Sequence, residues 1–63
     1  MYTKYQVISI YEGEFYHQGF FDTIREANER KDGVSYDYYM SDAENYSVLI
    51  NEIKYNYNYN PQI

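Results

Sequence analysis

The sequence predicts a small α+β fold, in which an antiparallel β-hairpin of two or three strands carries two helices on one face. Two observations predict it. Segments rich in β-branched and aromatic residues flank a glycine-containing turn near the start of the chain. Two later segments begin with a capping-box pattern, Thr23 to Glu26 and Ser41 to Glu44, which is typical of helix starts.

The hairpin is predicted over residues 4–21. Strand-favouring residues dominate 5–11 and 15–21, and the glycine of Glu12-Gly13 supplies the positive φ that a two-residue turn requires. The resulting register pairs Ile10 with Phe15 and Ile8 with His17 on one face. A three-residue loop would reassign these pairs. On the other face, the two-residue turn pairs Tyr5 with Phe20, Ser9 with Tyr16, and Val7 with Gln18.

Two helices are predicted after the hairpin. The first is expected to run from its capping box to about Lys31 and to end at Gly33. Residues 34–40 are either a short strand or a loop. Apolar residues spaced by three or four predict the second helix from residue 42 to about 54, and the apolar run at 48–50 leaves a strand as the alternative.

A chain of 63 residues without cysteine must be stabilised by apolar packing. We expect one domain over residues 1–54, and a core of this size rarely contributes more than about 3–5 kcal/mol. One sheet face remains uncovered in this arrangement, so we also expect a homodimer. We expect residues 55–63 to form a Tyr/Asn-rich C-terminal tail, which is either disordered and adaptable, or a strand, or an arm exchanged with a partner chain. The predicted core consists of Ile8, Ile10, Phe15, Ile24, Ala27, Leu49, Ile50 and Ile53.

The charge of the chain restricts its partners. Ten acidic and five basic residues give a net charge of −5, whereas binding to phosphate backbones or anionic membranes depends on Lys and Arg. We therefore expect no direct nucleic-acid partner and no membrane partner. The sequence has no apolar run near the ~20 residues of a membrane span and no signal-peptide pattern, which predicts a cytoplasmic location.

No pattern in the sequence indicates catalysis, a cofactor or a metal. His17 is the only histidine and is interpreted as structural, while Glu12 and Glu14 are interpreted as solubilising the hairpin turn. The glycines are isolated, so no phosphate-binding loop is present. An EF-hand loop starting at Asp32 would need Gly and Glu where Asp37 and Ala43 stand. We therefore expect a non-enzymatic protein.

The candidate binding surface lies in a segment without positive charge. No Lys or Arg occurs between Lys31 and Lys54, so the carboxylates there create an unopposed negative field. Tyrosine rings in the same segment add contact area at low entropic cost. The alternative is that the carboxylates serve solubility and the tyrosines fill a thin core. The predicted partner-binding residues are Asp32, Tyr36, Asp37, Tyr38, Tyr39, Asp42 and Glu44.

With this acidic, tyrosine-rich segment from Asp32 to Glu52, the chain resembles the small proteins that phages encode against bacterial defences, including anti-CRISPR proteins and other DNA mimics. The resemblance implies an inhibitor in the bacterial cytoplasm. Such an inhibitor occupies a basic groove of a nucleic-acid-binding host enzyme, for example the PAM-reading channel of a CRISPR effector nuclease. The modest charge favours a mixed electrostatic and aromatic interface. The alternative function is a small assembly module that oligomerises through its exposed sheet face and tail.

Overall fold

The computed structural model describes residues 2–55 as a three-stranded antiparallel sheet with one helix packed on it. The central strand is β1 (Tyr2–Tyr11), flanked by β2 (Glu14–Phe21) and β3 (Tyr46–Tyr55). The helix α1 (Ile24–Met40) connects β2 to β3. The predicted α+β class is therefore confirmed, with three strands. The prediction of two helices is wrong.

The β1–β2 hairpin has the predicted two-residue turn. Residues 12 and 13 have φ values of 51° and 83°, and positive φ at both positions is typical of a type I′ turn. The predicted pairs from Ile10–Phe15 to Ile8–His17 are confirmed. The turn chemistry and the strand composition were therefore sufficient to define this half of the hairpin.

A β-bulge at Gln18 changes the pairing beyond that point. Val7 pairs with Gly19 and not with Gln18, and Tyr5 pairs with Phe21 and not with the predicted Phe20. Such a bulge places two residues of one strand opposite one residue of its neighbour.

Gly19 makes this bulge sterically accessible. Its φ is 128°, and a Cβ atom at this position would lie 2.9 Å from the ring of Phe21. Glycine alone readily adopts that backbone conformation and leaves room for the ring. As a result, Phe20 lies on the same side of the sheet as His17, with 4.8 Å between ring centroids.

The helix α1 begins as predicted but continues well past its predicted end. The hydroxyl of Thr23, the N-cap residue, accepts a hydrogen bond from the backbone N–H of Glu26 at 3.1 Å. The helix passes through Gly33 because Val34 and Tyr38 pack against the sheet beyond it, offsetting the cost of about 1 kcal/mol for an interior glycine. Residues 34–40 are therefore helical, neither strand nor loop.

The second predicted capping box is instead the C-terminal cap of α1. The N–H of Ala43 donates to the carbonyl of Tyr38 at 3.0 Å, and that of Asp42 to the carbonyl of Tyr39 at 3.1 Å. This pair of bonds is the Schellman motif, which ends a helix. Asp42 and Asn45 have φ values of 58° and 59°, a left-handed region that Asp and Asn tolerate. The predicted helix from 42 to 54 is therefore wrong, and its strand alternative is correct.

The helix covers the less apolar face of the sheet. Beneath α1, Val7 and Ser9 are fully buried, and the helix contributes Ala27 and Val34. Among the eight residues predicted as core, only Ala27 is buried. Ile50, which pairs with Val7, is half-buried on this side, and Ile24 is exposed. The prediction failed because it assigned the helices to the other face.

The opposite face of the sheet carries no covering element within residues 2–55. Side chains alternate along a strand, so the neighbours of Val7 and Ser9 in β1 and their pairing partners lie on this side, which we call the open face. It includes five of the predicted core residues: Ile8, Ile10, Phe15, Leu49 and Ile53. The open face consists of Tyr2, Lys4, Gln6, Ile8, Ile10, Phe15, His17, Phe20, Ser47, Leu49, Asn51, Ile53 and Tyr55.

The predicted tail begins inside the sheet. Tyr55 is the last residue of β3, and its ring stacks on Tyr2 with centroids 4.9 Å apart. Residues 56–63, which hold the rest of the predicted tail, lie outside the described residues. Within the described part of the chain, no helix is long and apolar enough to cross a membrane.

Candidate functional site

The outward side of α1 holds three of the seven predicted binding residues. Asp32, Tyr36 and Tyr39 are spaced by four and three residues, which places them on neighbouring turns of one helix side. All three are exposed, Tyr39 by 68% and Tyr36 by 59%. This part of the prediction therefore falls on an accessible surface.

Tyr38, another predicted binding residue, packs against the sheet. Its ring stacks between those of Tyr11 and Tyr46, with centroid distances of 5.3 and 5.0 Å. Its hydroxyl is 3.0 Å from Oγ of Ser9. Since Tyr11 and Tyr46 pair across β1 and β3, Tyr38 fixes the C-terminal half of α1 to both strands. Tyr38 is half-buried, and it also lines the groove between α1 and β2.

A hydrogen-bond network that is part-buried at Ser9 and exposed at Arg30 holds the middle of α1 against β2. The side-chain amide of Gln18 donates to Oγ of Ser9 at 2.9 Å. Arg30 donates to the backbone carbonyl and to Oε1 of Gln18, both at 3.0 Å. The guanidinium of Arg30 is therefore engaged with neutral acceptors beside β2.

Five carboxylates lie at one end of the molecule, which we call the acidic end. They come from three segments: the β1–β2 turn, the last turn of α1, and the loop from α1 to β3. The backbone N–H of Glu12 donates to the carbonyl of Asn45 at 3.4 Å, which joins the two loops. These segments contain no Lys or Arg. The acidic end consists of Glu12, Glu14, Asp37, Asp42 and Glu44.

Three of the five basic residues lie toward the opposite end, each beside an acid. The ammonium of Lys4, on β1, forms an ion pair with Asp22. Arg25 lies 3.6 Å from Glu29 in the first turns of α1, and Lys54 lies 3.9 Å from Glu52 near the end of β3. The charge of the molecule is therefore polarised along its strands.

The tyrosines beside the acidic end respond to its field. The carboxylate of Glu12 raises the pKa of Tyr11, first by charge repulsion and then together with burial and hydrogen bonding. Glu14 likewise raises the pKa of Tyr16, whose hydroxyl donates to it at 3.2 Å. In each case a phenolate would form beside an existing negative charge. The acidic end thus has a negative potential that resists further negative charge.

Glu12 and Glu14 belong to the acidic end, whereas their position at the turn had indicated only a solubilising role. Topology brings them to the acidic end, because β3 pairs antiparallel with β1 and so starts beside the hairpin turn. Recognition of β3 as a strand would have revealed this neighbourhood. The sequence signal for β3 as a strand was the β-branched content of residues 48–53.

Within residues 2–55, no three His, Cys, Asp or Glu side chains are placed to hold a metal ion. A groove between α1 and β2, lined by Arg30 and Asp37 among others, has a volume of about 200 Å³. An open depression beside the start of α1, lined by Thr23, Arg25, Glu26 and Glu29, has a volume of about 480 Å³, and ligand pockets typically have roughly 300–1,000 Å³. Comparisons with protein-family models, with curated proteins and with solved structures found no match to this chain.

Proposed function

We propose that this protein is a non-catalytic inhibitor of a nucleic-acid-binding enzyme, and that it acts by placing its acidic end in that enzyme's basic groove. The supporting observation is the separation of charge: five carboxylates without Lys or Arg at one end, and ion-paired bases toward the other. Carboxylates in such a groove take the place of the phosphates that it normally holds. A bacterial defence nuclease is the target class that the resemblance to phage inhibitors implies.

The position of the acids favours a binding role over a purely solubilising one. Asp37 and Asp42 lie at the C-terminus of α1, where the helix dipole is negative, and the last turn contains no basic residue. Negative charge at a helix C-terminus is destabilising. A carboxylate that served only solubility could lie elsewhere on the surface without this cost.

The aromatic side of α1 complements the acidic end. Next to the acidic end, α1 exposes Tyr36, Tyr39 and Met40, and Tyr and Met are enriched in protein interfaces. The carboxylates would accelerate the encounter with a basic partner, and salt would reduce this acceleration because it screens the charges. The rings and the Met side chain would add contact area that depends little on salt.

Capture from a bacterial lysate tests this function. The immobilised protein is expected to retain nucleic-acid-binding enzymes at low salt and to release them at high salt, as identified by mass spectrometry. The double variant Asp42→Asn/Glu44→Gln should capture much less. Asparagine is chosen at position 42 because it tolerates the left-handed backbone there.

A matched control separates the location of the charge from its total. The double variant Glu29→Gln/Glu52→Gln also changes the net charge from −5 to −3, by removal of two acids, and leaves the acidic end intact. It should capture as much as the parent. Equal losses in the two variants would show that only net charge matters. Full capture by the Asp42/Glu44 variant would exclude the acidic end as the binding site.

A further inference from the structure

We propose that the open face binds a second copy of this chain, so that two sheets pack face to face in a symmetric dimer. This interaction surface is separate from the acidic end and does not depend on the proposed inhibitory function. Four features carry the inference: the area of the face, the thin packing on the helix side, the pairing of its polar groups, and its low charge.

The exposed area is sufficient for a dimer. Five open-face side chains, Tyr2, Phe15, Phe20, Leu49 and Tyr55, have exposed fractions between 36% and 71%. The five exposed fractions add up to about 2.3, which is equivalent to 2.3 fully exposed residues. At roughly 200 Å² for each fully exposed residue, this corresponds to about 450 Å² of accessible surface. Two copies would bury at most about 900 Å² from these residues alone, slightly below the ~1,000 Å² that a specific interface should exceed. The half-buried isoleucines of the open face bring the total above that value.

The helix side offers little burial to stabilise a monomer. Among the described residues, its fully or nearly fully buried apolar side chains are Val7, Ala27 and Val34, and the fourth buried residue is Ser9. Of the large aliphatic and phenylalanine side chains of the sheet, Phe21 and Ile50 lie on the helix side, and the other six lie on the open face: Ile8, Ile10, Phe15, Phe20, Leu49 and Ile53. Soluble monomers rarely expose contiguous apolar patches above a few hundred Å². Covering the open face would therefore supply the burial that the helix side lacks.

The polar side chains at the middle of the open face bond to one another. The amide of Asn51 donates to Oε1 of Gln6 at 3.4 Å, and Nε2 of Gln6 is 3.0 Å from Nδ1 of His17. Removal of water from a polar group costs less free energy when the group already has a hydrogen-bond partner in the protein. Burial of these three side chains under an apolar surface therefore has a low desolvation cost.

The charge of the face favours a second copy over a charged partner. Its one Lys, Lys4, forms an ion pair with Asp22, and the open face holds no Asp or Glu. Two open faces therefore meet without like-charge contacts. A twofold axis lying between the sheets and across the strands reverses the strand direction. This arrangement places the two acidic ends at opposite extremities, where their repulsion is smallest.

Sedimentation equilibrium over the micromolar to millimolar range tests the dimer. The parent should fit a monomer–dimer equilibrium. Phe15→Ser should raise the dissociation constant of the dimer about tenfold or more, because the substitution removes one ring from each copy and therefore two rings from a symmetric interface. Phe15 is 71% exposed, and the equally accessible Tyr39 at 68% provides the control Tyr39→Ser, which should leave the constant unchanged. Added salt should not weaken the association.

Thermal melts give a second readout that does not require the dimer to be isolated. The melting temperature of the parent should rise with protein concentration, since dimerisation stabilises the folded state, and this rise should shrink in Phe15→Ser. A parent that remains monomeric throughout, or equal effects of the two serine variants, would overturn the proposal. If the parent is monomeric and removal of residues 56–63 increases binding of an apolar dye, the C-terminal segment covers the face instead.

Discussion

Tyr38 and Tyr39 are adjacent in sequence, but the structure assigns them opposite roles, and substitution of each by alanine measures the difference. Tyr38→Ala removes a ring that stacks on Tyr11 and Tyr46, together with a hydrogen bond to Ser9. Tyr39→Ala removes a ring that is 68% exposed. Tyr38→Ala should therefore lower the free energy of unfolding strongly, and Tyr39→Ala should hardly change it.

The expected magnitude follows from these contacts. Truncation of a fully buried aromatic residue costs about 3–5 kcal/mol, and Tyr38 is half-buried. Each ring pair contributes about 0.5–1.5 kcal/mol beyond burial. We expect about 2–4 kcal/mol for Tyr38→Ala, most of the ~3–5 kcal/mol available to a domain of this size. Tyr39→Ala should remain within about 0.5 kcal/mol of the parent.

Urea denaturation followed by far-UV circular dichroism provides the measurement. All variants are compared at one protein concentration, so that self-association contributes equally. Tyr38→Phe keeps the ring stack and loses only the hydroxyl, which should cost about 0.5–1.5 kcal/mol. Equal midpoints for Tyr38→Ala and Tyr39→Ala would refute the structural role of the tyrosine stack.

Two further predictions concern the acidic end. Asp37→Asn should stabilise the fold by about 0.3–1 kcal/mol, because it removes negative charge from a helix C-terminus, and should weaken partner capture; a loss of stability in urea would contradict this. Glu12 raises the pKa of Tyr11, so Tyr11 holds its proton more tightly in the folded state. The contribution of Tyr11 to the free energy of unfolding should therefore be fully present below about pH 10, and it should be lost as pH rises through the folded pKa of Tyr11. In Glu12→Gln this loss should be smaller, as measured by urea midpoints at neutral and alkaline pH.

Local signals in the sequence predicted the elements that depend on local interactions. The turn at residues 12–13 and the N-cap at Thr23 were correct because each is specified by neighbouring residues. The bulge at Gln18 was missed. It depends on the ring of Phe21 lying over Gly19, a packing contact between residues of the folded strand.

The largest error, a helix in place of β3, has a physical cause. Tyr46, Val48 and Ile50 alternate toward α1, while Leu49 and Ile53 lie on the open face. Because both sides of the strand carry apolar residues, period-two alternation is obscured and a spacing of three or four appears. The Schellman motif at residues 41–43 has a sequence that also fits a capping box, and this strengthened the wrong choice.

The candidate site was partly predictable for a related reason. The gap in positive charge after Lys31 is a property of the sequence, and Asp37, Asp42 and Glu44 from this gap lie at the acidic end. The contribution of Glu12 and Glu14 depends on strand order, which a single sequence with a misassigned strand could not give. Tyr38 was assigned to the surface because residues 34–40 were not recognised as helix, so its inward direction was not apparent.

In the proposed function, the acidic end competes with nucleic acid for the basic groove of a target enzyme. The most direct measurement is the fluorescence anisotropy of labelled nucleic acid bound to a captured enzyme while this protein is added. We expect the anisotropy to fall toward the value of free nucleic acid, and Asp42→Asn/Glu44→Gln to require a higher concentration for this than Glu29→Gln/Glu52→Gln. Anisotropy that stays constant or rises, because the protein adds to an intact enzyme–nucleic acid complex, would contradict it.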